Sequence, residues 1–74
     1  MADNELRWVT ELTARAPTPH VDAFLRDVLA VCEKHGFSIA HEDSQGGFII
    51  TPFDSGIADW LLAASVEGVD GSRL

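Results

Sequence analysis

The chain has 74 residues, a formal net charge of −7 and a single cysteine. This length predicts one small domain, 1–74, of marginal stability, because a chain of this size buries only about 60% of the surface of its unfolded state. The lone cysteine excludes a disulfide within a monomer. No segment is typical of a signal peptide or long enough to span a membrane, so we expect a protein of the reducing cytoplasm.

The acidic excess lies in the second half of the chain. Before Gly36, six acidic residues are nearly balanced by four basic ones, whereas after it six acidic residues face only Arg73. That excess repels a phosphate backbone, so direct binding to nucleic acid is not expected, while a basic protein partner is permitted. The simpler interpretation is that the charge keeps a small protein soluble.

A first helix is predicted from about residue 4 to residue 15, with polar side chains before it that can cap it. Its apolar stripe is weak, and Trp8 and Leu12 lie on it one turn apart. Pro17 and Pro19 then end the helix, because each disfavours helical geometry in the residue before it.

A second helix, 19–35, has the most regular pattern. Pro19 follows Thr18 at the first helical position, and Gly36 ends the helix. The apolar side chains between them recur at helical spacing: Val21, Phe24, Leu25, Val28, Leu29 and Cys32. Since Cys32 continues this stripe, it is interpreted as a core residue rather than a metal ligand.

Alternating side chains then predict a β-hairpin with strands 37–43 and 48–53 and a glycine-containing turn. A last helix, 55–65, follows a polar capping residue. Residues 66–74 have no periodicity and are expected to form a flexible tail. The predicted fold class is α+β, in the order α-α-β-β-α, with a two-stranded antiparallel hairpin packed by helices.

The second strand of the hairpin is apolar on both faces. This indicates that both faces are covered, either by helices or by a second copy of the chain. Because a lone hairpin is marginally stable and an apolar edge strand invites pairing, we expect a homodimer. The predicted core consists of Phe24, Leu25, Leu29, Ile39, Ile50 and Trp60.

The densest polar cluster is His41-Glu42-Asp43, and together with His35 it could serve a small metal- or acid–base-dependent enzyme. In a strand, His41 and Asp43 share one face and Glu42 takes the other, so the cluster does not converge. Zinc needs three or four ligands in defined geometry, and the pattern supplies no such set. We therefore predict no catalytic residue, no metal ligand and no cofactor.

Three runs, 32–43, 46–50 and 58–64, resemble a group of small bacteriophage and prophage proteins. They share Lys-His-Gly, Ser-Ile-x-His-Glu-Asp, Gly-x-Phe and Trp-Leu with that group. The resemblance covers roughly the last two thirds of the chain and leaves out the segment with Trp8. That group has no assigned activity, so the resemblance implies only provenance: a phage accessory protein that acts inside its bacterial host.

The expected function is binding to a host or phage protein in the host cytoplasm, with inhibition of a defence or regulatory factor. Trp8 and Leu12 are the candidate anchor, since tryptophan dominates many interfaces. Glu42 and Asp43 are the candidate acidic rim, which would act on the association rate. The alternatives are that Trp8 covers the end of the second helix, that the chain is the enzyme described above, or that it is an acidic DNA mimic.

Overall fold

The computed structural model describes residues 6–42, 44 and 46–74, which contain two helices and two separate two-stranded antiparallel sheets. Short 3₁₀ turns lie at Thr10–Leu12 and Gly71–Arg73. The fold is mixed α+β, but the predicted order α-α-β-β-α is wrong, because the observed order is β-β-α-β-β-α. The elements are β1 (Arg7–Val9), β2 (Ala14–Ala16), α1 (Pro19–His35), β3 (Phe37–His41), β4 (Phe48–Pro52) and α2 (Ser55–Leu62).

A hairpin takes the place of the helix predicted over residues 4–15. β1 pairs antiparallel with β2, and Trp8 lies opposite Arg15. The turn closes at Thr13, which has a left-handed φ of 50° and donates its N–H to the carbonyl of Thr10 at 3.0 Å. Residues 4 and 5, with the capping side chains predicted before the helix, lie outside the described residues.

This segment forms a strand rather than a helix because of the side chains that β1 buries. Arg7 and Val9 point into the molecule and Val9 is 1% exposed, while Trp8 between them points outward. Only an extended backbone places every second side chain on one face. The β-branched Thr10 and Thr13 further weaken a helix in this segment.

α1 spans the range that the sequence predicted. The carbonyl oxygen of Leu74 accepts the N–H groups of His20 at 2.7 Å and Val21 at 3.1 Å, so the C-terminal segment caps the start of the helix. An acceptor at this position pairs with N–H groups that have no partner within the helix. It also interacts favourably with the positive end of the helix dipole. At the other end Gly36, with a φ of 73°, donates its N–H to two carbonyls of the last turn.

β3 and β4 form the second hairpin, in which His41 lies opposite Phe48. Its ladder continues one step beyond the strands, where the N–H of Phe53 donates to the carbonyl of Gly36 at 2.8 Å. Each strand ends before its predicted limit. Asp43, the predicted last residue of the first strand, lies outside the described residues.

α2 is joined to this hairpin through its N-cap. The Asp54 carboxylate accepts the N–H groups of Gly56 at 2.8 Å and Ile57 at 3.1 Å, as expected for an N-cap. The N–H of Asp54 in turn donates at 2.8 Å to the hydroxyl of Ser38, which is buried. α2 ends at Leu62 rather than at the predicted residue 65. Neither helix within the described residues is long and apolar enough to cross a membrane.

The segment 66–74, expected to be a flexible tail, instead returns to β1 and to the start of α1. Val66 is buried and pairs in parallel with Val9. Its N–H donates to the carbonyl of Trp8 and its carbonyl accepts the N–H of Thr10, both at 2.9 Å. Long-range hydrogen bonds therefore hold residues 66–74 against β1 and the start of α1, although the sequence of this segment has no periodicity.

The buried side chains come from both helices, from β1 and β3 and from the C-terminal segment. Among the described residues, the buried apolar ones are Val9, Leu25, Cys32, Ala58 and Val66. The predicted core is wrong at three positions that are exposed: Phe24, Ile50 and Trp60. A domain of this size buries too small a fraction of its surface to cover every apolar stripe.

Candidate protein-binding surfaces

Arg7 points from β1 into the molecule and joins three parts of the chain. At the start of α1, its Nε donates to Oγ1 of Thr18 at 3.0 Å and its Nη2 pairs with Oδ1 of Asp22 at 2.7 Å. At the end of α2, its Nη1 donates to the carbonyls of Leu62 and Ala64, both at 2.6 Å. We call Arg7 with these four partners the Arg7 clamp; it fixes β1, and with it the neighbouring Trp8.

The clamp also sets the charge state of Asp22. Burial works to raise the pKa of this carboxyl, but hydrogen bonds from Arg7 and Thr18, with the charges of Arg7 and Arg26, hold the pKa below its usual value. The Asp22 carboxylate is therefore ionised at neutral pH. Its hydroxyl partner Thr18 donates to the same Oδ1 at 3.0 Å. Because these groups are directed at one another, the clamp serves the fold rather than a ligand.

Trp8 lies on the outward face of β1, opposite to Arg7 and Val9. It is 41% exposed, and Leu6 before it and Leu12 in the following turn are also exposed. We call Leu6, Trp8 and Leu12 the N-terminal apolar surface. The two predicted anchor residues, Trp8 and Leu12, are thus both accessible, on a clamped hairpin rather than on a helix.

A depression of about 240 Å³ lies beside this surface. Its lining includes Trp8 and three arginines, Arg7, Arg15 and Arg26, with Asp22 as the one acidic group. The whole chain has only five Lys and Arg residues, so three of them gather here. The N-terminal apolar surface is therefore bordered by a basic depression in a protein whose net charge is −7.

One face of the β3–β4 hairpin forms the second exposed apolar surface. Residues directly opposite each other in an antiparallel pair share a face. By this register the outer sheet face, as we call it, consists of Phe37, Ile39, His41, Phe48, Ile50 and Pro52. Phe48 is 73% exposed, Ile50 64% and Phe37 55%. Ser38, which points to the other face, is buried on the side where the helices pack.

The predicted acidic rim belongs to the turn of this second hairpin. The Glu42 carboxylate accepts the backbone N–H of Ser44 at 2.7 Å and also the hydroxyl of that serine. Glu42 therefore organises the turn, as carboxylates commonly do at such positions. Asp43 lies outside the described residues. Trp8 and Leu12 belong to the other hairpin, so the anchor and the rim come from separate elements.

Of the residues of the enzyme alternative, the two histidines lie apart, and Asp43 lies outside the described residues. His35 ends α1 and His41 ends β3, so the two lie at opposite ends of a strand about 13 Å long. The His41 ring lies against Trp60, with centroids 6.4 Å apart and planes tilted by 40°. In the described ranges, no three His, Cys, Asp or Glu side chains are grouped so that they could hold a metal ion.

Arg7 is the important residue that sequence reasoning missed. On the predicted helix over residues 4–15, Arg7 would be one of several charged residues that face solvent. The available signal was the alternation of Leu6 and Trp8 with Arg7 and Val9, which is typical of a strand. That alternation would have placed Arg7 and Val9 on the same face, but only the acceptors at Thr18, Asp22, Leu62 and Ala64 make this face the buried one.

Each hairpin presents an exposed apolar surface, and the Arg7 clamp fixes the strand that carries the first of them. Tryptophan, tyrosine and arginine are the residues that most often dominate protein interfaces. Comparison of the chain with protein-family models, with curated proteins and with solved structures found no match in any of the three.

Proposed function

We propose that this chain is a phage accessory protein that binds a protein of its bacterial host in the host cytoplasm and inhibits it, without catalysing a reaction. The resemblance of runs 32–43, 46–50 and 58–64 to bacteriophage and prophage proteins supports the phage origin. The observation that carries the binding function is the exposed Trp8 on a strand held by the Arg7 clamp. A target among defence or regulatory factors fits a small protein that acts by occupying a surface.

The clamp matters because it orders Trp8 before a partner arrives. Binding loses free energy when mobile side chains and loops must be ordered, and a fixed backbone reduces that loss. Trp8 sits between two inward-pointing neighbours, Arg7 and Val9, and its own carbonyl accepts the N–H of Val66 at 2.9 Å. The backbone at Trp8 is therefore fixed before binding, and less of it needs to be ordered when the indole enters a partner's pocket.

The partner segment that fits this surface combines an apolar side chain with an acidic group. The apolar group would contact Trp8 and Leu12, while the acidic group would lie near Arg15 and Arg26 at the depression. Opposite charges at the border of an interface mainly raise the association rate and make it depend on salt. The contribution of an acidic rim at Glu42 and Asp43 stays a prediction.

The test compares Trp8→Ala with Trp60→Ala, since the second tryptophan is exposed to a similar extent, 49% against 41%. Each immobilised protein is incubated with lysate of the bacterial host, and retained proteins are quantified by mass spectrometry. The expected result is one host protein retained by the wild type and by Trp60→Ala and lost by Trp8→Ala. With that protein purified, Trp8→Ala should raise the dissociation constant about 30-fold.

Far-UV circular dichroism and thermal unfolding establish that both variants are folded before binding is compared. A host protein retained equally by both variants contradicts the role of the N-terminal apolar surface. Inhibition is checked separately, by assaying the purified host protein with increasing amounts of wild type and of each variant. An activity unchanged at saturating wild type contradicts the inhibitory part of the proposal.

A further inference from the structure

The outer sheet face leaves Phe37, Phe48 and Ile50 exposed, and Trp60 of α2 lies against His41 at the end of this face. α1 and α2 pack against β3, and the buried Ser38 lies on the helix side of that strand. We propose that a second copy of the chain covers this face, with the outer sheet faces of two copies packed together about a twofold axis.

The exposed area of the outer sheet face gives the size of the interface that two copies would form. Phe37, Phe48 and Ile50 together leave about 350 Å² in solvent, taking about 200 Å² for a whole aromatic side chain. The remaining members of the face raise this to about 500 Å² for each copy, which is near the lower limit for a specific interface. An interface near this limit is typical of weak association, so the association is sought at micromolar concentrations.

Charge favours a second copy over a strongly charged partner. The outer sheet face contains no Asp, Glu, Lys or Arg, so a charged partner gains no ion pair across it. Two copies repel each other through their net charges of −7, and an uncharged face allows the closest approach with the least repulsion. Because salt screens that repulsion, association of two copies should strengthen as the ionic strength rises.

Packing of the two faces explains the exposed side chains better than pairing of the two β4 edges. The hydrogen bonds from Phe53 to Gly36 and from Glu42 to Gly47, both 2.8 Å, imply by alternation that Phe48 and Ile50 turn their backbone groups outward. Edge pairing would use those groups. It would also leave both outer sheet faces side by side in solvent, so the apolar area would stay uncovered.

The test uses two neighbouring isoleucines of β4 that point to opposite faces. Ile50 lies on the outer sheet face, whereas Ile49, which is 43% exposed, points to the helix side. Sedimentation equilibrium from about 1 to about 200 μM measures the dissociation constant of wild type, Ile50→Thr and Ile49→Thr. We expect a dimeric wild type, and an Ile50→Thr dissociation constant raised on the order of tenfold or more, because both copies lose the contact. Ile49→Thr should remain close to wild type.

Phe48→Ser provides an independent variant should Ile50→Thr fail to fold, since Phe48 contributes little to the monomer. It should also dissociate the dimer. A wild type that stays monomeric up to about 200 μM overturns the proposal, as does an equal effect of the two isoleucine substitutions, which edge pairing would produce. The proposed host-protein function is independent of this result, because Trp8→Ala should leave the dimer mass unchanged.

Discussion

The two hairpins of this protein have the same antiparallel topology but opposite surroundings. β1–β2 has only three residues in each strand, yet its Val9 is buried and pairs with Val66 of the C-terminal segment. β3–β4 has five residues in each strand and more apolar side chains, yet its Phe48 and Ile50 are exposed. Apolar content therefore does not decide which hairpin is incorporated into the fold.

Polar contacts account for the difference. Arg7 makes four hydrogen bonds that join β1 to the start of α1 and to the end of α2. The second hairpin is joined mainly to its neighbours in sequence, through Ser38 with Asp54 and through Gly36 with Phe53. The first hairpin is thus coupled to the whole fold, whereas the second keeps one face available for another molecule.

The substitution expected to have the largest effect on stability is Arg7→Ala, which removes the clamp that holds the first hairpin. It removes the guanidinium donor from the Asp22 carboxylate, which keeps its hydrogen bond from Thr18, and from the carbonyls of Leu62 and Ala64, so the free energy of unfolding should fall by about 3 kcal/mol. That is a large part of the roughly 4–11 kcal/mol expected for 74 residues. Urea unfolding followed by circular dichroism measures it. Arg15→Ala, at the exposed arginine opposite Trp8, is the control and should change stability by less than about 0.5 kcal/mol.

A second prediction compares a small buried side chain with a large exposed one. Val9→Ala should lower the free energy of unfolding by about 2 kcal/mol, because a fully buried valine loses two methyl groups and leaves a cavity. Phe48→Ala removes far more apolar surface and should change it by less than about 0.5 kcal/mol. Both are measured at protein concentrations below the expected dimer dissociation constant, since dimerisation would stabilise the wild type. Similar losses in the two variants would contradict the contrast between the hairpins.

The smallest expected effect is the pH dependence that Asp22 confers on the clamp. Its pKa is lowered in the folded state, so its contribution to stability is complete above the unfolded carboxyl pKa of about 4. The contribution is lost as the pH falls through the lower folded pKa. Unfolding measured between about pH 2 and pH 7 should show this loss in the wild type and a reduced loss in Asp22→Asn. Asp27→Asn, at an exposed carboxylate of the same helix, is the control and should follow the wild type.

Local sequence signals were sufficient where they agreed with one another. Proline at the start and glycine at the end predicted α1 over the range that it occupies, because both residues restrict the backbone whatever surrounds them. Alternation and a glycine-containing turn likewise predicted a hairpin where β3 and β4 form. The sequence left open whether Trp8 is an exposed anchor or covers the end of the second helix; in the structure Trp8 and Leu12 are exposed, on a hairpin rather than on a helix, and their role as an anchor stays a prediction.

One long helix, the second hairpin and the short helix after it could therefore be predicted locally, since their turns and caps are local. The first hairpin, the position of residues 66–74 and the burial of individual side chains depend on contacts between distant parts of the chain. The strand at Arg7 exists because acceptors at Asp22 and at Leu62 meet its guanidinium. Those partners are 15 and 55 residues away along the chain, and no local pattern encodes contacts over such separations.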